Sequence, residues 1–191
     1  MSTDNINDFT HNYSLVNVTG DREAHPKYWV ATLVQMCTER KVGEKLSKLN
    51  IENWVPTQRE VHQWSDRKKK VLRVVIPMVV FARVDEISEK QLKSLSFIYK
   101  ILSYPGQKNA AIIPDEQIER LKFMLNNAES SVEVDNNQLQ IGEQVRIIRG
   151  SLKGLVGELH IIDSEKMMVA IRIDCLGCAC IKVSSTDIER I

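Results

Sequence analysis

Residues 142 to 162 read GEQVRIIRGSLKGLVGELHII, a row of glycines and three basic side chains in an apolar frame. A phosphate-binding loop needs a glycine-rich turn that ends in Gly-Lys-Ser/Thr and opens a helix. Here Gly157-Glu158 leads instead into Leu159 and Ile161, apolar at alternate positions, so the stretch predicts a strand, a corner and a second strand. Gly150, Gly154 and Gly157 then serve positive φ and close approach where a barrel turns. The alternation continues through Val169, Ile171 and Ile173 and through Ile181 and Val183, with Arg146, Glu158, His160, Arg172 and Lys182 on the other face. Short strands with no helical stretch between them predict a small β-barrel over residues 141 to 191.

Upstream of the barrel, the stretch NNAESSVEVDNNQLQ, 126 to 140, loses periodicity and reads as a solvated linker, bounded at 129 to 140. Tyr28 to Val34 is aromatic and β-branched, which predicts a strand; Val42, Leu46 and Leu49 then recur at helical spacing up to Asn50, where a left-handed cap is tolerated. Residues 53 to 64 and 71 to 84 predict a long hairpin about the polar turn Ser65 to Lys70. Ser88-x-x-Gln91 has capping-box spacing for a short helix. Strands follow near 98 to 103 and 110 to 113 around Pro105-Gly106, and Pro114 opens a last helix with Ile118, Leu121, Met124 and Leu125 in one stripe. The order βαββαββα predicts an α+β sandwich over 27 to 128, with helices packed on a mostly antiparallel sheet. Residues 1 to 26 lack periodicity and read as a mobile leader.

The chain has 191 residues, 43% of them hydrophobic, enough for one or two compact cores. Its 26 basic and 25 acidic residues leave a formal charge of +1, so any attraction to nucleic acid must come from local patches. The longest apolar run, Val74 to Ala82, falls far short of the ~20 residues of a membrane helix. The polar, acidic amino terminus carries no export pattern, so a cytoplasmic location without membrane attachment is expected. Cys37 stands apart from Cys175, Cys178 and Cys180, which is no disulfide framework. The Cys-x-x-Cys-x-Cys spacing suits thiolate ligands, but a structural zinc needs four and no second pair follows. Small buried hydrophobes are the expectation there, and His11, His25, His62 and His160 form no triad with a nucleophile. Neither metal, cofactor nor catalysis is expected.

Two basic features stand out. Lys41, Lys45 and Lys48, at i, i+4 and i+7, share one helix face, either to neutralise phosphates or simply to be solvated. Arg67, Lys68, Lys69 and Lys70 crown the hairpin, placed either for DNA or nascent RNA or for solubility alone.

The 142 to 162 stretch resembles a KOW motif, with Gly142, Val145, Arg146, Ile147, Gly150, Lys153, Gly154, Gly157 and Leu159 at its positions. VAIRIDCLGCACIKV, 169 to 183, is similar to the strand, turn and closing strand of the NusG carboxy-terminal barrel. KYWVATLVQ, 27 to 35, resembles the opening strand of the NusG amino-terminal (NGN) domain, with the usual Trp-Tyr order reversed. VVIPMVVFARVDE, 74 to 86, resembles its aromatic-Pro-Gly-Tyr-aliphatic strand, with Ile76, Met78 and Val79 where Phe, Gly and Tyr are usual.

Together these identify residues 26 to 191 as NusG-like, of NGN-plus-KOW layout. The resemblance implies a non-enzymatic bacterial elongation factor or antiterminator. Its first domain would grip the clamp helices of the largest RNA polymerase subunit through Tyr28, Thr32, Ile76, Val79 and Phe81, with Trp54 and Pro56 beside them, although each of these could equally be sheet core. The lysines of the first helix resemble the positions with which RfaH-type paralogues touch displaced non-template DNA. The departure at Val79, the leader of about 26 residues and the lysine row point to a specialised paralogue of the RfaH or UpxY groups, which act on selected long operons such as those for surface polysaccharides. The barrel would recruit a ribosome or a termination factor. Rival readings are a ribosome-associated RNA-binding KOW protein and a thiol enzyme built on the Cys175 cluster.

Overall fold

The computed structural model describes residues 26–63, 68–135, 142–163 and 166–191. At the centre of the first sheet runs β1 (Tyr28–Val34), antiparallel to β5 (Val79–Val84) on one side and to β6 (Ile98–Ile101) on the other, with β2 (Glu52–Trp54) outside β5. Alternation divides its side chains between two faces. Val30, Val34, Val80, Ala82 and Val84 pack with Leu46 of α1 (Glu39–Lys48) and Leu92 of α2 (Glu86–Ser94). Trp29, Ala31, Val79 and Phe81 pack with Ile118, Leu121 and Met124 of α3 (Asp115–Asn127). Helices thus sandwich a mostly antiparallel sheet, and Asn50, just past α1, takes the left-handed conformation (φ 57°).

The expected long hairpin is broken on both sides. Its strands divide into β2 and β3 (Thr57–Gln63), and into β4 (Lys68–Val74) and β5; β3 and β4 form a separate two-stranded ribbon, in register from Thr57↔Val74 to Gln63↔Lys68. Pro56 and Pro77 lie at the two breaks, where the missing N–H cannot serve a ladder. The chain re-enters the sheet through Met78, at φ 63°, whose N–H donates to the buried Glu39 carboxylate (2.8 Å) and whose carbonyl accepts from Val34 N–H (2.8 Å). The capping box at Ser88 gives way to Asp85, whose Oδ1 accepts from Ser88 N–H at 2.7 Å, so α2 begins at Glu86. A carboxylate is the stronger acceptor for an orphan N–H. The strand expected at 110 to 113 reduces to a single bridge, Trp29↔Ile113. The leader reading falls almost wholly on residues 1–25, outside the described residues.

The second sheet has the order β12-β8-β9-β10-β11-β7, from β7 (Glu133–Asp135), β8 (Glu143–Ile147), β9 (Val156–Asp163), β10 (Lys166–Ile173), β11 (Gly177–Val183) and β12 (Ile188–Arg190). Val145, Ile147, Leu159, Val169, Ile171, Ile173, Ala179 and Ile181 fill it, giving an SH3-like barrel. Gly157 is fixed by close approach: a Cβ there would lie 2.7 Å from the Ala170 carbonyl oxygen. Its edge strand β7 arises inside the stretch read as linker, and α3 already extends to Asn127. The barrel sits against α3. Asp174 donates its N–H to Gln117 Oε1 (2.8 Å), and its carboxylate accepts from Gln117 Nε2 (3.1 Å) and from Tyr104 OH (2.8 Å).

Candidate functional site

The seven residues expected to form one docking surface lie on two faces of the sheet. In the β1–β5 register Tyr28 is opposite Val84 and Thr32 opposite Val80, so both side chains point toward α1 and α2, away from Val79 and Phe81. Tyr28 OH donates to Glu89 at 2.7 Å and Thr32 Oγ1 to the Val80 carbonyl at 2.7 Å. Burial and then the Glu89 carboxylate push the Tyr28 phenol well above its usual range. Burial works to raise Glu89 as well, but hydrogen bonds from Lys93 and Tyr28 outweigh it and hold that carboxyl low. Thr32, Pro56, Ile76, Val79 and Phe81 are all buried, and of the seven only Trp54 is both on the α3 side and partly open. In this arrangement those five side chains have almost no open surface of their own.

What β2 presents is an aromatic roof. The Trp54 ring stacks on Phe81, which has no exposed surface, with centroids 5.4 Å apart and planes 20° from parallel. Lys122 Nζ stands 5.1 Å from the Trp29 ring centre and 5.8 Å from that of Trp54, and the Arg83 guanidinium lies 6.0 Å from Trp29. Arg83 also pairs with Asp115 (3.1 Å) and Glu52 (3.8 Å). Lys122 Nζ also pairs with Glu119 at 2.9 Å. A partly open indole on a rigid aromatic base is the kind of anchor on which protein interfaces concentrate their binding energy. Lys122 and Arg83 escaped the sequence reading, because only the fold brings α3 and β5 beside β2.

The lysine row is as the spacing predicts. Lys41, Lys45 and Lys48 are exposed on α1 in a row adjoining buried Val42 and Leu46, and Lys45 Nζ sits 4.7 Å over the Phe97 ring. Arg40 beside them donates to the Leu72 carbonyl, tying α1 to the β3–β4 ribbon. On that ribbon Lys70 is exposed, Lys68 and Lys69 begin β4, and Arg67 lies outside the described residues.

At the KOW turn Gly150 and Gly154 have φ of 77° and 94°, Gly154 N–H donates to the Ile147 carbonyl at 2.7 Å, and Lys153 is exposed. A cleft of about 620 Å³ separates Lys153 to Val156 from Arg120 and Phe123 of α3. Cys178 and Cys180 are buried with Met168 and Ala170. Cys175, half-buried, has its thiol pushed up to about 11 by burial and then by Asp174, the reverse of an activated nucleophile. Among the described residues no three His, Cys, Asp or Glu side chains converge to hold a metal ion, and no helix is long and apolar enough to cross a membrane.

An antiparallel sheet sandwiched by helices and followed by an SH3-like barrel defines a two-part α+β architecture. Residues 27–122 match the family model described as "Transcription termination factor nusG". Two curated relatives, the transcription termination/antitermination proteins NusG of two Staphylococcus epidermidis strains (ATCC 35984 and ATCC 12228), are each 22% identical over 165 residues, 81% of this chain and 90% of theirs. Among solved structures, one described as domain interaction in Thermotoga maritima NusG is 17% identical, covers 87% of this chain and 98% of its own, and has a TM-score of 0.49. The MjSpt4:Spt5 complex, conformation B, is 16% identical over 85% and 96%, with a TM-score of 0.26. The chain belongs to the NusG family of transcription termination/antitermination factors.

Proposed function

We propose that this NusG-family protein binds RNA polymerase through the Trp54 face and suppresses pausing or termination, on selected long operons such as those for polysaccharide biosynthesis. The Trp54–Phe81 stack, with Lys122 beside it, carries this reading: it is a preformed anchor that can seat between two helices of the clamp. Val79 and Phe81 hold the roof from below, while Tyr28 and Thr32 brace the sheet from behind. Preferential binding to the closed, elongating clamp shifts that equilibrium without chemistry. Alongside, the exposed Lys41, Lys45 and Lys48 row follows the phosphates of displaced non-template DNA, with Lys70 and the ribbon reaching toward DNA or nascent RNA. The barrel is left to engage a ribosome or a termination factor. Specialisation is supported by Val79, which stands where the resembling motif has Tyr, and by the exposed lysine row on α1.

Capture on core polymerase with and without nuclease tests the reading against a ribosome-associated KOW protein. The proposed function predicts capture that survives nuclease and fails with Trp54→Ala; capture that depends wholly on RNA would favour the rival.

A further inference from the structure

The chain between the two sheets is held along its length. Gln58 on β3, 2% exposed, commits both ends of its carboxamide to it: Nε2 donates to the Ser130 carbonyl (2.7 Å) and Oε1 accepts from the Val132 N–H (2.9 Å). Arg73, directly across the ribbon from Gln58, donates from Nη2 to the Val132 carbonyl and to Ser131 Oγ, both at 2.8 Å. Its Nε pairs with Glu60, whose Oε1 also accepts from Ser131 Oγ (3.0 Å). Gln58 and Glu60 are two apart on β3, so all three side chains use one face of the ribbon. Val132 itself is fully buried. Directly beyond it, β7 pairs with β11 as Glu133↔Cys180, Val134↔Ala179 and Asp135↔Cys178.

β11 is flanked by β10 on one side and by β7 on the other, and β7 is the last strand of the sheet at that end. Three paired residues, two of them acidic, are too little to hold a strand by local preference. β7 is held by the burial of Val132 and the packing of Val134 on the core together with the clasp, which alone satisfies the polar groups of the segment leading into it. Without Gln58 the Val132 N–H would be buried and unpaired, a state folded proteins avoid by letting the segment open.

We propose that residues 130 to 135 form a latch, in which the Gln58–Arg73 clasp keeps β7 zipped onto β11, so that the state of the β3–β4 ribbon decides whether the barrel edge is closed. Distorting the ribbon lets β7 leave and bares the N–H and C=O groups of β11 as an open edge. The latch is a property of this chain alone and does not rest on polymerase binding.

Residue-resolved amide exchange on the full chain tests it. With Gln58→Leu, amides protected by the β7–β11 ladder at 133 to 135 and 178 to 180 should exchange about tenfold to a hundredfold faster, while Val30 and Val80 in the first sheet keep their protection. Faster exchange confined to 130 to 132, or no change at all, would overturn the proposal. If Gln58→Leu does not fold, Arg73→Met removes the more exposed half of the clasp and is read by the same two outcomes.

Discussion

Met78 shows how much one residue can be asked to bear. Its φ of 63° is the left-handed region, disfavoured for a side chain with a Cβ by roughly 1–2 kcal/mol, yet two backbone hydrogen-bond groups, to Glu39 and from Val34, hold it there. Met78→Gly should therefore stabilise the protein by about 1 kcal/mol after the entropy of glycine is counted, raising Tm by roughly 2–4 °C in calorimetry. The motif resemblance marked position 78 as a departure, but the backbone strain at it could be read only from the fold. Phe81 and Trp54 need the same care at this scale. Both were legible as candidate contacts, yet Phe81→Ala is expected to cost about 3–5 kcal/mol of stability, whereas Trp54, half-buried on the edge strand, is the residue whose loss reads on binding.

Among the elements, α1 was the most legible, because its apolar and basic stripes both repeat at helical spacing. Replacing Lys41, Lys45 and Lys48 together by Gln should leave the fold intact and lower the salt slope of binding to a single-stranded or bubble DNA by about 2, since each phosphate contact on a single strand contributes roughly 0.7. Anisotropy titrations across a series of salt concentrations measure that slope; an unchanged slope would return the row to a merely solvated face. The first sheet was harder to read. The strand at 28 to 34 was recognisable and that at 79 to 84 was read only as the end of a longer one from 71, but which residues share a face depends on pairing across the sheet, a long-range fact that placed Tyr28 and Thr32 on the face away from Phe81. Pro56 and Pro77 carried the signal for the broken hairpin. The Glu133–Asp135 strand carried none, since a short polar segment becomes a strand only when β11 and the ribbon hold it.

For the whole molecule, the contact between barrel and α3 turns on Asp174, Gln117 and Tyr104. Burial, then the hydrogen bond and charge of Asp174, push the Tyr104 phenol from 10.0 up to about 12. Between those values the folded chain keeps a proton that the unfolded chain has released. The stabilisation is thus fully present below pH 10 and is lost as pH rises toward 12. Tm measured across this window should fall less steeply for Tyr104→Phe than for the parent; parallel curves would show that the hydroxyl does not couple the two sheets.

The barrel was the most readable larger unit, because strict alternation and cornering glycines specify it locally, while its seat on α3 left no mark in sequence. The central claim is the Trp54 anchor, and the most direct measurement is the affinity of core RNA polymerase for the parent chain and for Trp54→Ala of equal Tm. Loss of an aromatic anchor that the partner would cover predicts binding weaker by roughly 30-fold or more. Equal affinity would contradict the account.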